Sequence, residues 1–150
     1  MVDFITSFNK GLEAAKQAGQ NKREIYSVID VLNEQLSQVS EGKLEIGIYN
    51  KAQPFSNLIG MVSTTADASK PVSQFLAAVN PLSESKTPSE IAKWKFDSNG
   101  YPCQISTSDF EFYCEDKAAL ERSLQNLLSD PTVGEKIYSV MRQKLKAGSN

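Results

Sequence analysis

The sequence predicts an α+β domain: a mostly antiparallel sheet of five or six strands, with two N-terminal and two C-terminal helices packed on one face. Three observations predict it. Apolar residues recur at helical spacing near both ends of the chain. After residue 42 the apolar period changes to two. The stretch KWKFDSNGYPCQISTSDFEFYCE, residues 93–115, alternates through two turns.

The first helix is expected over 2–18, where Ile5, Phe8, Leu12 and Ala15 share one face and Phe4 borders it, with Gly19 as the stop. The second is expected from about 22 to 39. Asn21 would cap it, with Glu24 three residues on, as in a capping box. Ile25, Val28, Ile29, Leu32, Leu36 and Val39 form its core stripe. Ser40-Glu41-Gly42 ends the helical pattern.

Strands follow. Residues 43–49 alternate, with Leu44, Ile46 and Ile48 on one face. Pro54 marks a turn, Leu58–Thr64 reads as a second strand, and Thr65–Lys70 as a loop. Phe75–Val79 is short and apolar, and reads as a strand or a helical turn. Asn80–Glu90, rich in Pro, Ser and Thr, reads as a flexible connection.

In 93–115, Asn99-Gly100 predicts a two-residue type I′ hairpin. That turn opposes Trp94 to Ile105, Lys95 to Gln104 and Phe96 to Cys103. A second turn at Ser108-Asp109 opposes Ile105 to Phe112, Cys103 to Cys114, Gln104 to Tyr113 and Ser106 to Glu111. Both registers place Trp94, Phe96, Cys103, Ile105, Phe110, Phe112 and Cys114 on one face. Lys93, Lys95, Gln104, Ser106, Glu111, Tyr113 and Glu115 fall on the other. A one-residue slip would invert a whole strand, so this agreement favours a meander with one core face and one wet face. On the wet face, lysines are expected to pair with glutamates across strands.

Asp116 caps a helix to about Ser129, with Leu120, Leu124, Leu127 and Leu128 inward. Asp130-Pro131 starts another, with Val133, Ile137, Val140, Met141 and Leu145 as its stripe.

The chain of 150 residues reads as one domain, 1–150. It contains no histidine, which removes Ser-His-Asp, Cys-His and His-based zinc chemistry from its own residues. The two cysteines, Cys103 and Cys114, are expected as reduced core thiols. No phosphate-binding glycine motif occurs. Neither a catalytic set, nor a metal site, nor a cofactor site is therefore expected, and the chain reads as not an enzyme. The net charge of −2 disfavours nucleic acid as a partner. No signal peptide and no membrane span are read from the sequence, so a cytoplasmic location is expected.

What remains is protein binding. Residues 109–121 hold five acids and one lysine, and Tyr113 lies among them. Such a surface suits a basic protein partner, since opposite charge steers association. The leading expectation is an inhibitor or immunity protein that neutralises a toxin or nuclease by occlusion. Its partner-binding residues would be Glu111, Tyr113, Glu115 and Asp116. The alternatives are a homodimeric, secretion-chaperone-like adaptor using the stripe at 25–39 or 133–145, and a small enzyme using carboxylates or lysine.

Overall fold

A computed structural model describes residues 2–51 and 73–147. The described elements run α1 (Phe4–Ser40), β1 (Glu45–Asn50), β2 (Gln74–Val79), β3 (Ser89–Asp97), β4 (Gly100–Ser106), β5 (Glu111–Cys114), α2 (Lys117–Ser129) and α3 (Pro131–Met141). The class is α+β, with a five-stranded antiparallel meander in the order β1-β2-β3-β4-β5. The expected strand at Leu58–Thr64, the turn at Pro54 and the loop at Thr65–Lys70 lie outside the described residues.

The two expected N-terminal helices are one. α1 is a continuous helix of 37 residues, about 55 Å long at 1.5 Å per residue. Gly19 does not stop it, and Asn21 does not cap a new one. Asp3 is the N-cap, its Oδ1 accepting from the Thr6 amide at 3.1 Å. The helix ends where Ser40-Glu41-Gly42 predicts. Glu41 turns left-handed at φ 58, Gly42 follows at φ 80, and the Gly42 amide donates to the Ser37 carbonyl at 2.9 Å.

Tertiary contacts explain the continuity. Asn21 Nδ2 donates to the Asn99 carbonyl at 2.9 Å, and the Tyr101 hydroxyl donates to Glu24 Oε1 at 2.7 Å. The two residues expected to start a helix instead hold the middle of α1 against the β3–β4 turn. Farther along, Asn33 clamps the outer strand β1. Its Nδ2 donates to the Ile46 carbonyl at 2.7 Å and its Oδ1 accepts the Ile46 amide at 2.8 Å. A side-chain amide thus completes a sheet edge that has no further strand among the described residues.

The predicted pairings of the meander hold. Trp94 opposes Ile105, Phe96 opposes Cys103, Cys103 opposes Cys114, and Ile105 opposes Phe112. The first turn differs from type I′. It lies at Ser98-Asn99, Asp97 pairs with Gly100, and the register shifts beyond that pair. Gly100 alone takes positive φ there, +91. That is a hairpin relieved by a glycine bulge, which preserves the faces while moving the turn by one residue. Phe75–Val79 resolves as strand β2.

One core joins the helices to the sheet. Ile25, Val28 and Ile29 from α1 meet Ile46, Leu76, Trp94, Cys103, Ile105 and Cys114, together with Leu120, Leu124 and Leu127 from α2 and Val133 and Val140 from α3. Trp94 is 3% exposed, and its Nε1 has no acceptor among the described residues. Val39, expected in the α1 stripe, is instead 80% exposed, because Ser40, 4% exposed, takes the inward position at the helix end. Leu145 lies beyond α3 and is half-buried. Its backbone forms a bridge to Ser83.

The connection Asn80–Glu90 is tethered, contrary to the flexible segment its composition predicts. Asn80 and Ser83 are fully buried. Asn80 Nδ2 donates to the Val140 carbonyl at 3.2 Å and its Oδ1 accepts the Leu82 amide at 3.0 Å. The Ser83 hydroxyl donates to the Asn80 carbonyl at 2.8 Å. Small polar residues supply the hydrogen bonds that a buried backbone turn needs.

Candidate functional site

The wet face follows strand parity. Tyr49, Phe75, Lys93, Ser106 and Glu111 form one row across all five strands, and Lys95, Gln104 and Tyr113 form the next across three. Tyr49 and Phe75 stack at 5.9 Å, closing the β1 side of the first row. The far side ends on β5, whose outer edge has no neighbour among the described strands.

Glu111 and Tyr113 are brought together there. The Tyr113 hydroxyl donates to Glu111 Oε1 at 2.9 Å, and Gln104 Nε2 donates to the same oxygen. Tyr113 is 64% exposed and stands above the sheet. Its phenol ionises above the usual tyrosine value, first because it donates to Glu111 and then because of that carboxylate's charge. That hydrogen bond ties the Tyr113 hydroxyl to Glu111.

Glu115 and Asp116 lie at the C-terminal end of β5 and are exposed. Asp116 is committed to α2, its Oδ1 accepting from the Ala119 amide at 2.8 Å. Its charge still contributes to the edge, but its lone pairs are partly used. From Glu111 to Glu115 the acidic edge extends about 13 Å at 3.3 Å per residue.

The expected Lys–Glu pairing does not form. Lys93 and Glu111 both oppose Ser106, so β4 stands between them, and Gln104 separates Lys95 from Tyr113 in the same way. Two strand spacings put β3 and β5 about 10 Å apart. At that separation in water a unit charge pair is worth only about 0.4 kcal/mol, and salt screens it further. Lys93 and Lys95 of β3 are thus held apart from Glu111 of β5 rather than paired with it.

Lys93 and Lys95 line a groove of about 590 Å³ together with Lys51, Gln74, Glu90 and Gln104, among others. Among the described residues Glu90 is the carboxylate that lines it, 4.0 Å from Lys51 Nζ. Among the described residues no group of three or more Cys, Asp or Glu is placed to hold a metal ion, and no helix is long and apolar enough to cross a membrane.

The two thiols face each other in the core and are free. Cys114 Sγ lies 3.3 Å from Ser123 Oγ. Cys103 is pushed well up, by its hydrogen bond toward Cys114 and by burial. Both sulfurs are sealed from solvent, so neither serves as a nucleophile at the surface.

Sequence reasoning misplaced the apolar N-terminal stripe. Every residue from Val2 to Gln17 is exposed, and Phe4, Ile5, Phe8 and Leu12 are 75, 75, 65 and 47% exposed. These residues form an arm that leaves the body before the first contacts of α1. The stripes at 25–39 and 133–145 supply core residues instead. Periodicity shows that a face is apolar, not what covers it.

No protein-family model matches the chain, and searches of characterised proteins and of solved structures find no similar protein.

Proposed function

We propose that this is a non-catalytic protein-binding domain that occludes a basic partner through its acidic β5 edge. The supporting observation is Tyr113, an exposed aromatic held by Glu111 at the edge of the sheet, with Glu115 and Asp116 extending the charge. A rigid tyrosine beside acids supplies an anchor with little rotamer entropy to lose. The negative edge supplies steering towards a basic surface. A toxin or nuclease with a cationic active face is the class of partner that this chemistry suits, and an inhibitor or immunity protein is the matching role.

The test starts with native co-purification, mass spectrometry and light scattering to identify a stoichiometric partner. Association is then measured for Glu111→Lys combined with Glu115→Lys, and separately for Tyr113→Ala. The charge pair should slow association at least ten-fold at low salt, and less at high salt. Tyr113→Ala should mainly speed dissociation. If both variants bind that partner as the wild type does, the edge is not the binding surface.

A further inference from the structure

We propose that the N-terminal arm of α1 is a homodimerisation element, pairing antiparallel with the same arm of a second copy about a two-fold axis near Gly11. This inference does not rest on the acidic edge, which lies on a different part of the molecule.

The arm is a built helix. Asp3 caps it at the tip, and its body end is held by Asn21 on the Asn99 carbonyl and by Lys22 over the Phe96 ring at 5.7 Å. Residues 4–17 extend about 21 Å beyond that hold. A free helix of this length is marginal in water, and continuity with the docked half supplies its nucleus. Nothing in the described structure uses its apolar side.

That side has a seam. Ile5, Phe8, Leu12, Ala15 and Gly19 follow one another at steps of three and four. With an aromatic side chain covering about 200 Å² and an aliphatic one somewhat less, the exposed fractions of Val2, Phe4, Ile5, Phe8 and Leu12 leave about 500–600 Å² of apolar surface per arm. Without Val2, which precedes the cap, two arms together offer about 800–1,000 Å² of apolar surface, close to the roughly 1,000 Å² that a specific interface needs. Among the described residues of one copy, none covers this surface.

Shape chooses the second copy and its direction. The bulky residues, Phe4, Ile5 and Phe8, lie at the tip. The small ones, Gly11, Ala14, Ala15, Ala18 and Gly19, lie toward the body. Antiparallel pairing sets Ile5 against Ala15 and Phe4 against Ala18, so large meets small toward both ends of the seam, and Phe8 meets Leu12 at its centre. Parallel pairing would set phenylalanine on phenylalanine and leave a gap between glycines. The antiparallel form also sends the two bodies to opposite ends, where they do not collide.

Gly11 adds an independent reason. It lies in an exposed helix interior, where glycine is unfavourable, and a Cβ there would meet nothing within 4 Å in its own chain. The chain gains nothing from glycine at this position. At the two-fold axis it lets the helix backbones approach. Charge offers no obstacle: from Val2 to Gln17 the arm carries Asp3 and Glu13 against Lys10 and Lys16. An arm of zero net charge also lacks the excess of lysine that an anionic lipid surface would reward.

The test is sedimentation velocity of the full chain over a wide concentration range, with circular dichroism alongside. The wild type should form a dimer. Phe8→Glu and Gly11→Leu should each weaken it at least ten-fold. Gly11→Leu raises helix propensity, so helicity should hold or rise while the dimer is lost, which a purely structural role for the arm would not produce. Mixed Ile5→Cys and Ala15→Cys chains should form an intermolecular disulfide on oxidation, and Ile5→Cys alone should not, since the native thiols are buried. A monomer at every concentration would overturn the proposal, as would a dimer indifferent to both substitutions or one cross-linked by Ile5→Cys with itself. A monomer that floats with neutral phosphatidylcholine vesicles through Phe4 and Phe8 would overturn it in favour of a lipid surface. Reversing Glu111 and Glu115 should leave the dimer unchanged, so failure of the edge reading and failure of this one are separable.

Discussion

Gly100 lies so close to Asn21 that a Cβ on it would sit 2.8 Å from the Asn21 Cβ. Real side chains do not approach that closely. The glycine meets two demands at once, the +91 φ of the bulge and the passage of α1 over the turn. The Asn21 side chain then reaches the Asn99 carbonyl next to it. This is where the body ends and the arm begins.

Gly100→Ala should therefore destabilise the domain by about 2–4 kcal/mol, more than strain at φ alone, read by urea denaturation. Asn21→Gly itself costs the hydrogen bond to the Asn99 carbonyl, but in that background Gly100→Ala should cost less than in the wild type, because the opposing Cβ is gone. An equal cost in both backgrounds would mean that the backbone angle carries the whole loss.

Asn33→Leu should cost about 1–3 kcal/mol, because the Ile46 amide and carbonyl lose their partner at the sheet edge. Hydrogen exchange at Ile46 should quicken more than exchange at Leu76 in the next strand. Equal exchange at both would show that the clamp is not local.

Asn80→Ala should cost a similar amount, since the Leu82 amide and the Val140 carbonyl both lose the buried Asn80 side chain. Thermal unfolding measures it. A loss well below 1 kcal/mol would mean that the turn holds without its asparagine.

Stability should fall as pH rises above about 10. Tyr101 is held well above the ordinary tyrosine value by burial and then by its hydrogen bond to Glu24. Its contribution is complete below the unfolded value near 10, where both states are protonated. Above it the unfolded chain loses the proton first, which draws the equilibrium away from the fold. Tyr101→Phe should lessen the decline, read from urea midpoints across that range. An unchanged decline would place its origin in other groups.

Cys103 and Cys114 should be silent to a thiol reagent in the native protein and should both react after unfolding, because neither sulfur is exposed. Prompt reaction of either thiol in the folded state would contradict the packing of the β4–β5 pair against α2.

The register of residues 93–115 was legible because it depends on local quantities: side-chain alternation and short turns between neighbouring strands. The helix caps at Asp116 and Asp130 and the stop at Glu41-Gly42 were legible for the same reason. So was the parity that put Glu111, Tyr113 and Glu115 on the wet face. The expected pairing of Lys93 and Lys95 with glutamates across strands did not follow, because β4 stands between them and Glu111.

The sequence by itself thus determined the register and faces of residues 93–115 and the starts of the two C-terminal helices, while it left Phe75–Val79 open and carried the last helix past its end at Met141. Tertiary structure decided that Gly19 and Asn21 do not break α1, because Asn21 gains a partner 78 residues away in the Asn99 carbonyl. It decided that Asn80 and Ser83 lie inside and that Phe4, Ile5, Phe8 and Leu12 lie outside. Local signals set what a segment prefers. Burial depends on what else the chain brings to it, and here the sheet and the C-terminal helices cover only the later part of the long helix.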